Sequence, residues 1–285
     1  MANYLFPNRG SRESWDRIFV SFLAIVGLWI GVGGVITVLF VVVFGNIETA
    51  WSEYLIGLIA FVPFFLGLIL HCRIVKRPFR TLITSRPKLD VAQILIGAVT
   101  WLVIISSFAM VGRLIDPDSL AYTFDIKVFL PALVVLMFLL PIQTTAEELF
   151  FRGFLAQTLS KVMKNPFVIN ILTSLMFASL HLANPEVNDD YAAALLVYGS
   201  IGFAWGFAAY LFGSLEIAIG AHLANNAFGL LIVGYENAAL PSSAIFTAPA
   251  AELSGSIASA LLMMSVWLLC VLGLRRLLGL GKSIA

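Results

Sequence analysis

The chain has 285 residues, 60% of them hydrophobic and only 12% charged, a composition too apolar for a soluble domain. A net charge of +1 gives no support to nucleic-acid binding. Two cysteines, Cys72 and Cys270, suggest neither a disulfide framework nor a CxxC metal site.

Several apolar runs reach the roughly 20 residues that a helix needs to cross about 30 Å of hydrocarbon, and the alternation of a lipid-facing barrel is missing. The expected fold class is therefore all-α, a polytopic transmembrane helical bundle. Its about eight spans lie near residues 18–44, 54–72, 92–112, 128–149, 166–183, 192–212, 215–234 and 256–274. The first run is too long for a signal-peptide core and lacks a clear small-residue cleavage site, so it reads as a retained span.

The charges between spans are sided. One side receives Arg9, Arg12, Arg17, then Arg73, Lys76, Arg77, Arg80, Arg86, Lys88, then Lys161, Lys164, and finally Arg275, Arg276 and Lys282, whereas the other receives only Arg113 and Lys127. A basic bias of this kind marks the cytoplasmic side, which predicts both termini inside. The loop "RIVKRPFRTLITSRPKLD" at 73–90 reads first as a topogenic charge cluster, with contact to anionic lipid headgroups as an alternative.

Ionisable groups inside spans are costly and usually face a bundle interior or a cavity. Here they are few: Glu147, Glu148 and Arg152 in and just after the fourth run, His181 in the fifth, and Glu216 and His222 in the seventh. Glu148 and Arg152 stand four apart and share one helical stripe, which predicts an internal ion pair, while Glu147 is rotated by about 100° and left free for chemistry. Glu216, at the start of a span, reads as a structural acid at a helix N-terminus, and His71 as a bystander beside Arg73. Pro141 predicts a kink ahead of Glu147, for packing or to open space.

Phe177 and His181 are four apart, as are His222 and Asn226, so each pair lines one helical face. A turn near Asn165 would bring Glu147 and His181 to one level of an antiparallel hairpin. Yet counting down the fourth run puts Glu147 about 28 Å from its outer end, whereas His181 falls near the outer end of the fifth. Two resolutions are open: the fourth helix runs well past the bilayer, or residues 182–191 dip back into a cavity. Glu, His, His and Asn converging on a water-accessible pocket would supply a base, a proton shuttle and donors for a developing oxyanion, a set suited to hydrolysis.

The stretches "EELFFRG", "FASLH" and "HLANN" resemble the EExxxR, FxxxH and HxxxN motifs of the CAAX-protease and bacteriocin-processing family of intramembrane proteases, and "LITSRPKLD" resembles a segment found upstream in that family. The resemblance divides the chain into residues 1–80, an N-terminal region with two transmembrane helices and a basic cytoplasmic loop, and residues 81–285, a protease domain with its motifs in 147–226. It implies a glutamate-dependent endopeptidase acting on a peptide or protein substrate at the lipid bilayer of a bacterial inner (cell) membrane, with a site open to the cytoplasm. On this resemblance Glu147 is the base that activates water, His181 orients that water, and His222 and Asn226 stabilise the oxyanion. Glu148 and Arg152 are motif residues too, as the ion pair already suggested.

The resemblance favours no cofactor. The alternative is zinc held by Glu147, His181 and His222, a stoichiometry common among zinc hydrolases, although the HExxH helix is absent. Two other functions use the same residues. A non-catalytic scaffold or bacteriocin immunity protein would keep the pocket for binding, and a proton-coupled transporter would use the ionisable groups as a relay, against which stands the lack of an internal repeat.

Overall fold

The structure, a computed structural model, describes residues 4–5, 13–44, 49–241, 243–250 and 252–279. Arg9, Arg12 and Lys282 of the sided charges lie outside the described residues. In chain order the described elements are α1 (Trp15–Phe44), α2 (Ala50–Ile74), α3 (Val91–Ile115), β1 (Ala121–Tyr122), α4 (Ile126–Leu159), α5 (Pro166–Ser179), α6 (Tyr191–Phe212), α7 (Glu216–Leu231), β2 (Val233–Tyr235), β3 (Phe246–Ala248) and α8 (Leu253–Leu278).

Six of these helices, α1, α2, α3, α4, α6 and α8, are long and apolar enough to cross a membrane. The other two of the eight expected spans, α5 and α7, are shorter. With 14 residues in α5 and 16 in α7, they reach about 21 and 24 Å at a rise of about 1.5 Å per residue, short of the roughly 30 Å of a hydrocarbon core. Helix α5 is cut short by the turns that lead to Asn184–Pro185, and α7 by the extended segment at Val233. Both short helices or their ends carry predicted site residues.

Helix α4 goes the other way, running 34 residues. A fourth helix of this length, about 51 Å at about 1.5 Å per residue, exceeds the roughly 30 Å of a hydrocarbon core. Measured from the α4–α5 turn, Glu147 and His181 stand about 18 and 22 Å along their helices at about 1.5 Å per residue. Two π turns interrupt the regular winding, at Gly27–Val32 in α1 and at Leu149–Leu155 in α4. The second begins directly after Glu148 and contains Arg152. Such wide turns recur at functional sites because they break the 3.6-residue register of the side chains.

The loops gather at two ends. At one, the α2–α3, α4–α5 and α6–α7 connections meet: Leu215 N–H donates to Ile83 O at 2.8 Å, Thr84 bridges to Ser214, and Gln157 Nε2 donates to Thr81 O at 2.9 Å. Glu13 joins this end by pairing with Arg77 at 2.8 Å and Lys161 at 3.6 Å. At the other end the helical bundle carries one small sheet of order β1-β3-β2, antiparallel between β1 and β3 and parallel between β2 and β3. Tyr54 ties α2 to this end, its hydroxyl donating to Pro241 O at 2.5 Å. The basic residues of the described loops concentrate at the first end.

The largest apolar core draws on α1 through α8, with Ile25, Phe64, Trp101, Phe151, Phe177, Trp205 and Trp267 in it. Helices α3 and α7 form its most intimate pair. A Cβ at Gly97 would run into the carbonyl oxygen of Ile217, and one at Gly220 into that of Ile94. The two main chains therefore touch directly, as small residues permit between helices in lipid. The outer faces are aliphatic, as at Val35, Val38 and Val42 of α1 and Leu114 and Ile115 of α3.

Candidate active site

The charges of α4 meet α7 in the core. Arg152 Nη1 donates to Glu148 Oε1 at 3.0 Å, with side-chain exposures of 1% and 0%, so the ion pair expected from four-residue spacing is present. Arg152 Nη2 donates to the carbonyl of Gly202 on α6 at 3.1 Å, and the guanidinium carbon lies 4.5 Å from the centre of the Phe177 ring. Gly202 is required there, since a Cβ would come 3.0 Å from Arg152 Nη2 and 3.2 Å from Phe177 Cδ1. A carboxylate, a carbonyl dipole and an aromatic face together accommodate a cation that burial alone would expel.

His222, 2% exposed, stands between the two glutamates. Its Nδ1 donates to Glu148 Oε1 at 2.8 Å, and its Nε2 lies 3.5 Å from Glu147 Oε2. The expected division of the glutamates by helical angle therefore needs correction: both face one imidazole, which reaches adjacent positions because its two nitrogens lie on opposite sides of the ring. Glu148 is fully buried, whereas Glu147 keeps 10% side-chain exposure; the Oε2 atom of each has no hydrogen-bond partner among the described residues. Trp205 of α6 stacks on the His222 ring at 4.5 Å and 27°.

His181 lies just beyond α5, not within a span as expected. Its Nδ1 bonds the carbonyl of Phe177 at 2.9 Å, and its ring stacks on Tyr198 of α6 at 4.5 Å and 26°. A carbonyl only accepts, so Nδ1 carries a proton, and the neutral form of the ring with this bond has its lone pair on Nε2. The contacts of Glu147 run to His222, and those of His181 to Phe177 and Tyr198. Phe177 connects the two groups, its ring centre 4.6 Å from that of His181 and 5.9 Å from that of His222.

Asn226, one turn after His222 on α7, donates from Nδ2 to Gln143 Oε1 at 3.1 Å and accepts from Asn225 Nδ2 at 3.1 Å. One of its two amide hydrogens remains for a ligand. Asn225 is a support residue, its Oδ1 taking the indole N–H of Trp101 at 3.2 Å. Gln143 was missed in the sequence, although its position four before Glu147 on an otherwise apolar helix marks the same stripe.

Glu216 is more embedded than its reading as a helix-terminal acid implied. Fully buried, it takes Arg86 Nη2 at 2.8 Å and the Asp90 N–H at 2.9 Å, while Arg86 also reaches Ser214 Oγ at 2.9 Å. The segment "TSRPKLD" thus fixes the start of α7, and through it the height of His222 and Asn226.

Among the described residues no group of three His, Cys, Asp or Glu side chains is arranged to hold a metal ion. The zinc alternative with Glu147, His181 and His222 as ligands is not supported by this arrangement, since the contacts of Glu147 run to His222 and those of His181 to Phe177 and Tyr198.

Six apolar helices around a buried polar site define an integral membrane protein. Residues 127–228 match the family described as type II CAAX prenyl endopeptidase Rce1-like. Over 251 residues, 83% of this chain and 84% of the relative, the sequence is 34% identical to the "Uncharacterized protein YyaK" of Bacillus subtilis (strain 168). No solved structure matches the chain. The chain belongs to the Rce1-like family, whose members are in general proteases.

Proposed function

We propose that this protein is an intramembrane endopeptidase that cleaves membrane-associated or C-terminal peptide substrates with water activated by Glu147. The observation that carries this is the contrast between neighbouring carboxylates: Glu148 is fully buried and paired with Arg152 and His222, while Glu147 retains 10% side-chain exposure and, among the described residues, has no cation paired with it but the His222 ring. Glu147 takes a proton from water, the water oxygen attacks the peptide carbonyl carbon, and the proton passes to the leaving amine as the C–N bond breaks. His181 orients the water through Nε2, and His222 with Asn226 faces the developing oxyanion. The polar end of the bundle, with its Arg and Lys residues, faces the cytoplasm on the basic-inside rule, and the substrate enters there.

The test is cleavage of a quenched fluorescent peptide with a farnesylated CAAX terminus, and of its unfarnesylated twin, by the purified protein in detergent. A proteomic comparison of membranes from cells carrying wild type or Glu147→Gln accompanies it. Loss of all cleavage in Glu147→Gln with retained folding supports the assignment. Full cleavage by that variant sinks the base assignment, and absence of cleavage even by wild type favours the scaffold reading.

A further inference from the structure

Helix α6 carries none of the three motifs, yet it touches both motif histidines in the same way. Tyr198 and Trp205 are seven residues apart, two turns along one face, and each lies flat against an imidazole: Tyr198 on His181 at 4.5 Å and 26°, Trp205 on His222 at 4.5 Å and 27°. Between them Gly202 receives Arg152. The face is thus built around the site, and nothing in the motifs accounts for it.

Trp205 is buried in the core, but Tyr198 sits where α5 has ended and needs another anchor. Glu186, in the turn Pro185–Val187, supplies it: its Oε1 accepts the Tyr198 hydroxyl at 2.6 Å and Asn184 Nδ2 at 3.0 Å. Val187 beside it is buried against Ala194 and Val197 of α6 and Leu253 of α8, which fixes the turn to the bundle. A chain of contacts therefore runs from Glu186 to the Tyr198 hydroxyl, from the Tyr198 ring to the His181 ring, and from His181 Nδ1 to the Phe177 carbonyl.

We propose that Tyr198, held by Glu186, is a positioning residue that fixes the plane and tautomer of His181, as Trp205 fixes the plane of His222. The ring sandwich leaves the imidazole one orientation in which Nδ1 meets the Phe177 carbonyl, so Nε2 is delivered to the water with its lone pair free. A hydroxyl donating to a carboxylate also enriches the phenol ring in electron density, which favours an imidazole that gains a proton during turnover. This inference rests on the protease reading for its consequence, but not for its measurement.

The chain has three histidines, so a spectrum of protein labelled with 15N-histidine in detergent micelles is small enough to assign by single substitutions. His71, packed on Phe154 away from α6, serves as the internal control. At neutral pH, wild type should show the His181 proton on Nδ1. Tyr198→Leu should move it toward Nε2 and lower cleavage of the fluorescent peptide about 10- to 100-fold, with the His71 and His222 signals unmoved. Tyr198→Phe and Glu186→Ala, which keep the fold but release the anchor, should give a smaller shift in the same direction, and Glu186→Gln, which can still accept the hydroxyl, should restore the wild-type spectrum.

An unshifted His181 signal in Tyr198→Leu overturns the proposal, and so does one in Tyr198→Phe if the leucine variant does not fold. Shifted signals in a protein that cleaves no peptide even as wild type would count against the protease reading and leave the contact chain standing.

Discussion

Glu148 and Arg152 lie 3.0 Å apart with neither side chain more than 1% exposed, and the same Glu148 oxygen also takes the Nδ1 proton of His222. The ion pair of the motif is therefore also the mount of a histidine, and the two glutamates respond to substitution in opposite ways.

Glu148→Gln leaves Arg152 buried beside a neutral partner, and loss of such a pair costs about 3–5 kcal/mol. Detergent-solubilised protein followed by tryptophan fluorescence should show a large fall in unfolding temperature. Glu147→Gln should shift stability by less than about 1 kcal/mol and remove activity. Equal destabilisation by both would contradict their separation into mount and base.

Gln143→Leu should keep the fold and free the Asn226 amide to rotate. The loss of that orienting contact should lower the turnover rate about tenfold with little change in KM, since the amide is assigned to the transition state. A rise in KM at constant turnover would place Asn226 in substrate binding instead.

Arg86→Ala removes the charge that pairs with fully buried Glu216. Arg86 is partly exposed, so the expected cost is about 1–3 kcal/mol. Glu216→Gln in the same background should recover part of it, because the buried charge is then gone. A simple additive loss in the double variant would show that the pair is not coupled.

Gly97→Ala and Gly220→Ala each force a methyl into a facing carbonyl. Each should destabilise by at least about 1–3 kcal/mol, and thermal unfolding with separate measurement of residual activity checks it. A neutral Gly220→Ala would mean that α3 and α7 do not approach as closely as described.

Reporter fusions at residues 85–88 and 118–119 test the orientation. The first should report the cytoplasmic side and the second the opposite side, and the reverse result would invert the proposed access of substrate.

Much of the site was readable in the chain because charge at membrane depth is rare and helical spacing is strict. Glu148 with Arg152 followed from four-residue spacing, and the motif residues were named before any geometry. The partner of Glu147 was not readable, since spacing orders residues within one helix and says nothing of which imidazole a second helix presents. The π turn after Glu148 was hidden for a related reason: its sequence, "LFFRGFL", is ordinary helix former and breaker in composition. The lengths of α5 and α7 were less readable: the apolar pattern runs on to Leu182 and Val233, whereas the helices end at Ser179 and Leu231. The small sheet was invisible because strands of two or three residues carry no periodicity.

The contact of α3 with α7 through Gly97 and Gly220 bears on how the site answers to its surroundings. Bilayers that are thicker or thinner than a span tilt or bend the helices that face lipid. At Gly97 and Gly220 no side chain separates the two main chains, so at these points the helices cannot slide by repacking. They respond as one rigid strut, and Trp101, Asn225, Asn226 and His222 travel with it. The aliphatic faces of α1 and α3 meet the lipid, and the close contacts at Gly97 and Gly220 set the spacing between the groups on α7 and their supports on α3.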